Sequence, residues 1–216
     1  MHRLSQKLNF SFERKGLMFV LSSPSGAGKS TIARHLLQEE PRLSLSVSVT
    51  TRKRRPNEIE GTDYLFKSKN EFDMVREGNG LLEWANVHGN FYGTPLEPVE
   101  QAMAEGRDML FDIDWQGALK IFERAPADIV SVFILPPSIA ELKNRLIFRA
   151  EDTKDVIDER LENARNEIGH WIDYDYIVIN DDLDRAFSEV KSILQSERLR
   201  RDRQVGIGNF ISDMLT

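Results

Sequence analysis

Five residues, Gly26-Ala27-Gly28-Lys29-Ser30, are spaced to hold a triphosphate. Glycines let consecutive backbone N–H groups turn toward one anion. A helix that starts there adds unsatisfied N–H donors and the positive end of its dipole. Lysine at this point reaches the β- and γ-phosphates, and the hydroxyl after it ligates Mg²⁺. The context fits: an apolar run at 17–21 precedes the turn, and Ile32, Ala33, Leu36 and Leu37 share one helical face after it. That is strand, phosphate loop, helix. One position departs from the pattern G-x-x-x-x-G-K-[ST], because Ser23 stands where the first glycine is expected.

Further groups could complete the chemistry. Asp112 and Asp114 end an apolar strand, where one acidic residue holds Mg²⁺ through water opposite the loop serine; the alternative is a strand-end turn with Asx hydrogen bonds. Arg145 and Arg149 lie four apart on a helix, hence on one face, with Arg160 on the next helix. Arginines grip phosphoryl oxygens bidentately; pairing with Asp152, Asp155 or Glu159 is the competing use. Arg52, Arg55, Tyr64 and Tyr92 would suit a second phosphate, offering many donors and no competing negative charge. Glu83 sits in the apolar stretch Leu81-Leu82-Glu83-Trp84 and needs donors if buried. Guanine presents N1–H and N2–H₂ side by side to a carboxylate, whereas adenine presents an acceptor at N1. An edge-strand glutamate facing water is the plainer alternative.

The elements that must position these groups alternate between strand and helix. Strands are expected at 17–21, 64–66, 81–87, 90–92, 109–114, 128–135 and 176–179. The alternation Leu43 to Val49, apolar residues against serines, predicts one more with a single buried face. Helices are expected at about 28–40, after capping boxes at Ser68–Glu71, Thr94–Glu97 and Ser138–Glu141, after Gly117, at about 155–169, and after Asp182. This order implies a parallel sheet covered on both faces, with ligands at the carboxyl edge of its strands. Residues 1–15 show no clean periodicity and read as an arm.

Composition narrows the function classes. The 216 residues suffice for one domain with insertions, and 40% hydrophobic with 30% charged residues describes a globular protein. Apolar runs are too short to span a membrane, and charges interrupt any N-terminal leader pattern. There are no cysteines, and the four histidines lack metal-ligand spacing. A net charge of −6 argues against a general nucleic-acid binder. Basic clusters at 52–55 and 198–203 therefore point to a small anionic ligand or to solvated loops.

The residues resemble the guanylate kinase family. The signature Thr50-Thr51-Arg52, Arg55, Glu58, Gly61, Tyr64 and Phe66 has the spacing T-[ST]-R-x-x-R-x-x-E-x-x-G-x-x-Y-x-F. Further likeness lies in Glu83-Trp84-Ala85, in 89–94, in Asp112-Ile113-Asp114-Trp115-Gln116-Gly117, in 136–138 and in 180–183, so it spans about 16–200. The resemblance implies an α/β fold: a P-loop NTPase core with a parallel sheet flanked by helices, an inserted mixed α/β GMP-binding region and a helical lid. It implies a core of 16–49, 95–137 and 170–205, a GMP region at 50–94, a lid with flanking helices at 138–169 and a tail at 206–216. It implies Mg²⁺-dependent transfer from ATP to GMP, in the cytoplasm, with self-association open. Ser25, Gly26, Ala27, Gly28, Lys29, Ser30, Thr31 and Asn180 match the ATP site. Ser48, Glu83 and Asp114 match guanine contacts, Arg52, Arg55, Tyr64 and Tyr92 the GMP phosphate site, and Thr94 a hydroxyl near the guanine. Lys29, Arg145, Arg149 and Arg160 match catalytic cations; Ser30 and, through water, Asp112 match the metal site. Ala150 stands where the family usually has glycine. A kinase of another nucleoside monophosphate and a non-catalytic module of guanylate-kinase type are the alternatives.

Overall fold

The apolar run before the glycine-rich loop becomes the central strand of a parallel sheet. The computed structural model describes residues 13–87, 89–149 and 154–216. Residues 1–12 of the expected arm, His88 between the strands expected at 81–87 and 90–92, and Ala150 of the expected lid lie outside the described residues. In chain order the elements are β1 (Met18–Ser22), α1 (Lys29–Glu39), β2 (Leu43–Leu45), β3 (Val49–Thr50), β4 (Leu65–Phe66) and α2 (Lys69–Glu77). Then come β5 (Leu81–Val87), β6 (Asn90–Pro95), α3 (Leu96–Ala104), β7 (Asp108–Asp112), α4 (Trp115–Arg124) and β8 (Ile129–Leu135). The chain continues with α5 (Ile139–Arg149), α6 (Lys154–Ile168), β9 (Tyr176–Ile179), α7 (Leu183–Arg198) and α8 (Ile207–Leu215).

Five strands form the first sheet in the order β2-β7-β1-β8-β9, every pair parallel. All of β1 is buried, as an interior strand covered on both faces must be. Its side chains alternate between two cores. Phe19 and Leu21 meet Ile32 and Leu36 of α1 and Val190 and Leu194 of α7. Met18 and Val20 meet Ala102 of α3, Ile121 of α4, and Phe111 and Phe133. β1 lies between β7 and β8, so the loops after β1 and β7 share one edge of the sheet.

The second sheet has the order β4-β3-β6-β5, with β5 and β6 paired antiparallel as a hairpin. Its own small core joins Val49, Phe72 and Leu81. The Ser68–Glu71 capping box forms and starts α2. Helices α5 and α6 pack on each other through Leu142, Leu146, Ile157, Leu161 and Ala164.

Two local expectations are corrected. The run Leu43 to Val49 is two strands in two sheets, not one alternating strand. β2 pairs with β7 up to Leu45, the Ser46 N–H reaches the Leu110 carbonyl at 2.8 Å, and the chain then crosses to the second sheet. Thr94 does not cap α3; it belongs to β6, and Pro95 takes the cap position without a side-chain bond. Helix α8 lies within the stretch expected as a tail and buries none of its residues.

The basic cluster at 198–203 is mostly an internal ion network. Arg198 pairs with Asp108 at 2.8 Å and with Glu40, and buried Arg203 lies 3.6 Å from Glu197. Arg14 closes on both oxygens of Asp108, which also accepts the Leu17 N–H. The residues just before β1 and those after α7 are thereby tied together at the amino edge of the sheet.

Candidate active site

The glycine-rich loop has the shape its sequence demands. Gly26 and Gly28 take φ of 94° and 100°, a region that disfavours side chains. Gly28 is the N-cap of α1, so the first N–H groups of that helix face the loop's hollow. A Cβ on Gly28 would lie 2.3 Å from the Asn180 side-chain nitrogen. That amide donates to the Ala27 carbonyl at 2.7 Å and locks the loop to the end of β9. Ser23 needs no glycine, because Asn79 is the one non-glycine with positive φ among the described residues. Ser25 and Ser30 are exposed, Ala27 is buried, and Thr31 is half-buried in the first turn of α1.

Lys29 points across the sheet edge toward β7. Its Nζ donates to the Ile113 carbonyl at 3.1 Å and forms an ion pair with Asp112. Asp112 and Ser30 line the same cavity, of about 330 Å³, as Lys29. No group of three or more His, Cys, Asp or Glu side chains that could hold a metal occurs among the described residues. One hydroxyl and one carboxylate nonetheless suit Mg²⁺, which keeps several waters and draws its other ligands from phosphates.

On the far wall of this cavity stand Ser48, Tyr64, Glu83 and Tyr92, from the second sheet and its loops, with Asp114 and Gly117 from the start of α4. Glu83 is 6% exposed, and its Oε1 accepts the Thr94 hydroxyl at 2.7 Å. Burial pushes its carboxyl up to about 7; Asp114 nearby adds to the rise, while the Thr94 hydrogen bond and Lys120 oppose it. Thr94 is fully buried, which explains why its hydroxyl serves Glu83 and not the helix end. A Cβ on Gly117 would come within 3.1 Å of Glu83 Oε2. A side chain here would crowd the carboxylate, and glycine leaves α4 free to approach it. Asp114 spends one oxygen on capping α4, accepting the Gly117 N–H at 3.0 Å. The aspartate thus bonds its own local backbone, and Asp114 still lines the cavity.

The expectation that no negative charge competes for the arginines is corrected. Glu58 grips Arg52 through two hydrogen bonds, at 2.7 and 3.1 Å, and accepts the Arg55 N–H at 2.8 Å. The carboxylate holds the guanidinium firmly charged, and Arg52 in turn holds Glu58 below the usual carboxylate range. Arg52 also donates to the Tyr92 hydroxyl at 3.2 Å and lies 5.3 Å from the Tyr64 ring centre. Burial and the neighbouring Tyr92 push the Tyr64 phenol up. Arg55 is exposed on the loop rim.

The cations of the helical pair are placed unevenly. Arg145 pairs with Glu141 and donates to the Asn180 carbonyl at 3.0 Å. Arg160 is half-buried on α6. Arg149 ends α5, and its side chain lies outside the described residues. Arg145 and Asn180 line a second cavity, about 350 Å³, on the other side of the loop. Sequence reasoning missed the parts played by Glu58 and Gly117. Both stand in motifs quoted above, but Glu58 meets Arg52 only when the loop folds back, and Gly117 meets Glu83 only through packing.

The geometry coincides with a known family. A family model described as guanylate kinase matches residues 15–197. The chain belongs to the guanylate kinase family. It is 64% identical over 203 residues to the guanylate kinase of Rhizobium meliloti, covering 94% of this chain and 93% of that one. With the guanylate kinase of Brucella melitensis it shares 60% over 203 residues, 94% of this chain and 92% of the other. The crystal structure of guanylate kinase from Anaplasma phagocytophilum superposes with a TM-score of 0.78 at 37% identity, over 94% of this chain and 96% of that one. The guanylate kinase fold is a P-loop NTPase core, and the mixed α/β architecture expected from the sequence is the one observed. No helix among the described residues is long and apolar enough to cross a membrane.

Proposed function

We propose that the two cavities divide the substrates, with GMP in the one floored by Glu83 and ATP on the glycine-rich loop. As a guanylate kinase the chain transfers a phosphoryl group from ATP to GMP. One observation carries the assignment of sides: a buried carboxylate, propped by Thr94, faces the same cavity as Lys29 and Ser30. Ionised Glu83 accepts the guanine N1–H and N2–H₂ pair, and Ser48 and Asp114 complete the edge of the base. Arg52, pre-set by Glu58, binds the GMP phosphate together with Arg55, Tyr64 and Tyr92.

Catalysis then consists of positioning and charge neutralisation. The attacking atom is a GMP phosphate oxygen; phosphate monoesters lose their second proton near pH ~6, so no general base is needed. The loop N–H groups from Ser25 to Thr31 hold the donor phosphates. Lys29 exchanges Asp112 for phosphoryl oxygens. Arg145, Arg149 and Arg160 spread the charge of the transferring group when α5 and α6 close over it and exclude water. Ser30 and, through water, Asp112 would hold Mg²⁺, which would supply further charge neutralisation to the donor phosphates. The reading places the chain in the cytoplasm. A coupled assay of GDP formation from ATP and GMP tests it; an inactive chain, or one that prefers AMP or dTMP, would sink it.

A further inference from the structure

Helix α5 lies directly over the glycine-rich loop. Leu142 Cδ1 and Leu146 Cδ2 stand 3.1 Å from where a Cβ on Gly26 would be. These two leucines fix the buried face of α5, because they also pack on Ile157 and Leu161 of α6. Arg145 and Phe148, three residues apart, lie on the adjoining face. Arg145 is anchored to the Asn180 carbonyl at 3.0 Å. Phe148 makes no comparable packing: it is 92% exposed, the most exposed of the large apolar side chains described. Yet it borders the second cavity, about 350 Å³, with Gly26, Gly28, Thr31, Asn180 and Leu183.

The position of that cavity suits the nucleoside part of the donor. Phosphates on the loop sit at the amino end of α1, and the GMP cavity opens on the Lys29, Ser30 and Asp112 side. The remainder of the donor must leave on the opposite side, which is where Gly26, Gly28 and Thr31 border the second cavity. Its lining carries one cation, Arg145, and no carboxylate; Leu183 supplies an apolar wall. A flat, weakly polar ring fits such a lining. An exposed phenyl group beside it gains by covering that ring, because apolar area leaves water and the two π-faces stack.

We propose that Phe148 is the stacking platform for the adenine of ATP, carried onto the base by α5. The inference rests on the reading of the loop as the ATP site. A stacking platform reads shape and not the edge of the base, so it contributes affinity for the nucleoside part and little for the phosphates. Phe148→Ala should raise the KM for ATP about tenfold, the size expected for losing one aromatic platform under a base. The KM for GMP should stay put, and Phe148→Tyr should restore the ATP value. In calorimetry, Phe148→Ala should weaken ADP binding by a similar factor and leave tripolyphosphate binding unchanged. An active Phe148→Ala enzyme with the parent KM for ATP overturns the proposal, as does an equal loss for ADP and tripolyphosphate. Neither result touches the broader reading, which falls only if the unaltered chain makes no GDP.

Discussion

The two ends of β7 hold carboxylates in opposite circumstances. At its start, buried Asp108 accepts four hydrogen bonds, two from Arg14, one from the Leu17 N–H and one from Arg198. At its end, half-buried Asp112 pairs with Lys29, the cation proposed to meet the donor phosphates, and Glu83 across the cavity leans on Thr94. The first end is saturated by its own chain. The second, on the proposed function, exchanges partners when the substrates arrive. A fold can secure one edge of a sheet with charges that never change partner and leave the other edge with charges that must.

Lys29→Ala is the sharpest way to separate the two edges. Turnover should fall about a thousandfold, since a phosphate-facing cation acts mainly in the transition state. GMP binding by calorimetry and the urea midpoint should hardly move, because Asp112 is partly solvated. Asp108→Ala should do the reverse. It strands Arg14 and Arg198 at the amino edge and should cost about 3 kcal/mol in urea unfolding. Its kinetic constants at low temperature should match the parent. Unaltered stability there would show that the network is decoration.

This contrast also explains what could be read from the residues. The glycine-rich loop was legible because its contacts are local: Gly28, Lys29 and the start of α1 are neighbours in sequence. The parallel sheet was legible because apolar runs and helical faces alternate along the chain. Glu83 was legible as an anomaly, a carboxylate in an apolar stretch. Its prop was not, because Thr94 followed by Pro95-Leu96-Glu97 reads as a capping box. Only the β5–β6 pairing turns that hydroxyl toward Glu83. The crossing of Leu43 to Val49 between two sheets was equally hidden, since an alternating pattern does not say which strand it pairs with. Glu58 stood in the signature, yet its grip on Arg52 depends on how the loop folds back.

Glu83→Gln should cut both ways. The amide keeps the shape but loses the second acceptor for guanine, so the KM for GMP should rise about thirtyfold while that for ATP holds. Stability at pH 8 should increase, because a buried charge is removed. The pH dependence follows from the same carboxyl, which burial has pushed up to about 7. Its folded-state value lies above the ordinary 4.5, so its contribution to stability is present at low pH and lost as pH rises from 4.5 through 7. Guanine recognition runs the other way. Below pH 7 the carboxyl takes up a proton and presents a donor to a donor, so the KM for GMP should climb as pH falls. The GMP phosphate titrates near ~6 as well, so the diagnostic quantity is the ratio of parent to Glu83→Gln across pH. A ratio flat from pH 6 to 8 would break the assignment.

Thr94→Val has the smallest expected effect and asks the finest question. The substitution keeps the shape and removes the donor that reaches Glu83 at 2.7 Å. That hydrogen bond favours the ionised carboxyl, so without it burial and Asp114 act with less opposition and the carboxyl should move further up. At pH 8.5, where Glu83 is still largely ionised, the KM for GMP should rise only about threefold, since guanine brings its own donors. Near pH 7 the loss should be larger, because more of the free enzyme carries a protonated Glu83. The measurement is therefore the midpoint of the KM profile and not the value at one pH. An upward shift identifies Thr94 as the group that keeps Glu83 ready for guanine. An unmoved midpoint with a uniformly weaker KM would mean that Thr94 only shapes the wall of the cavity.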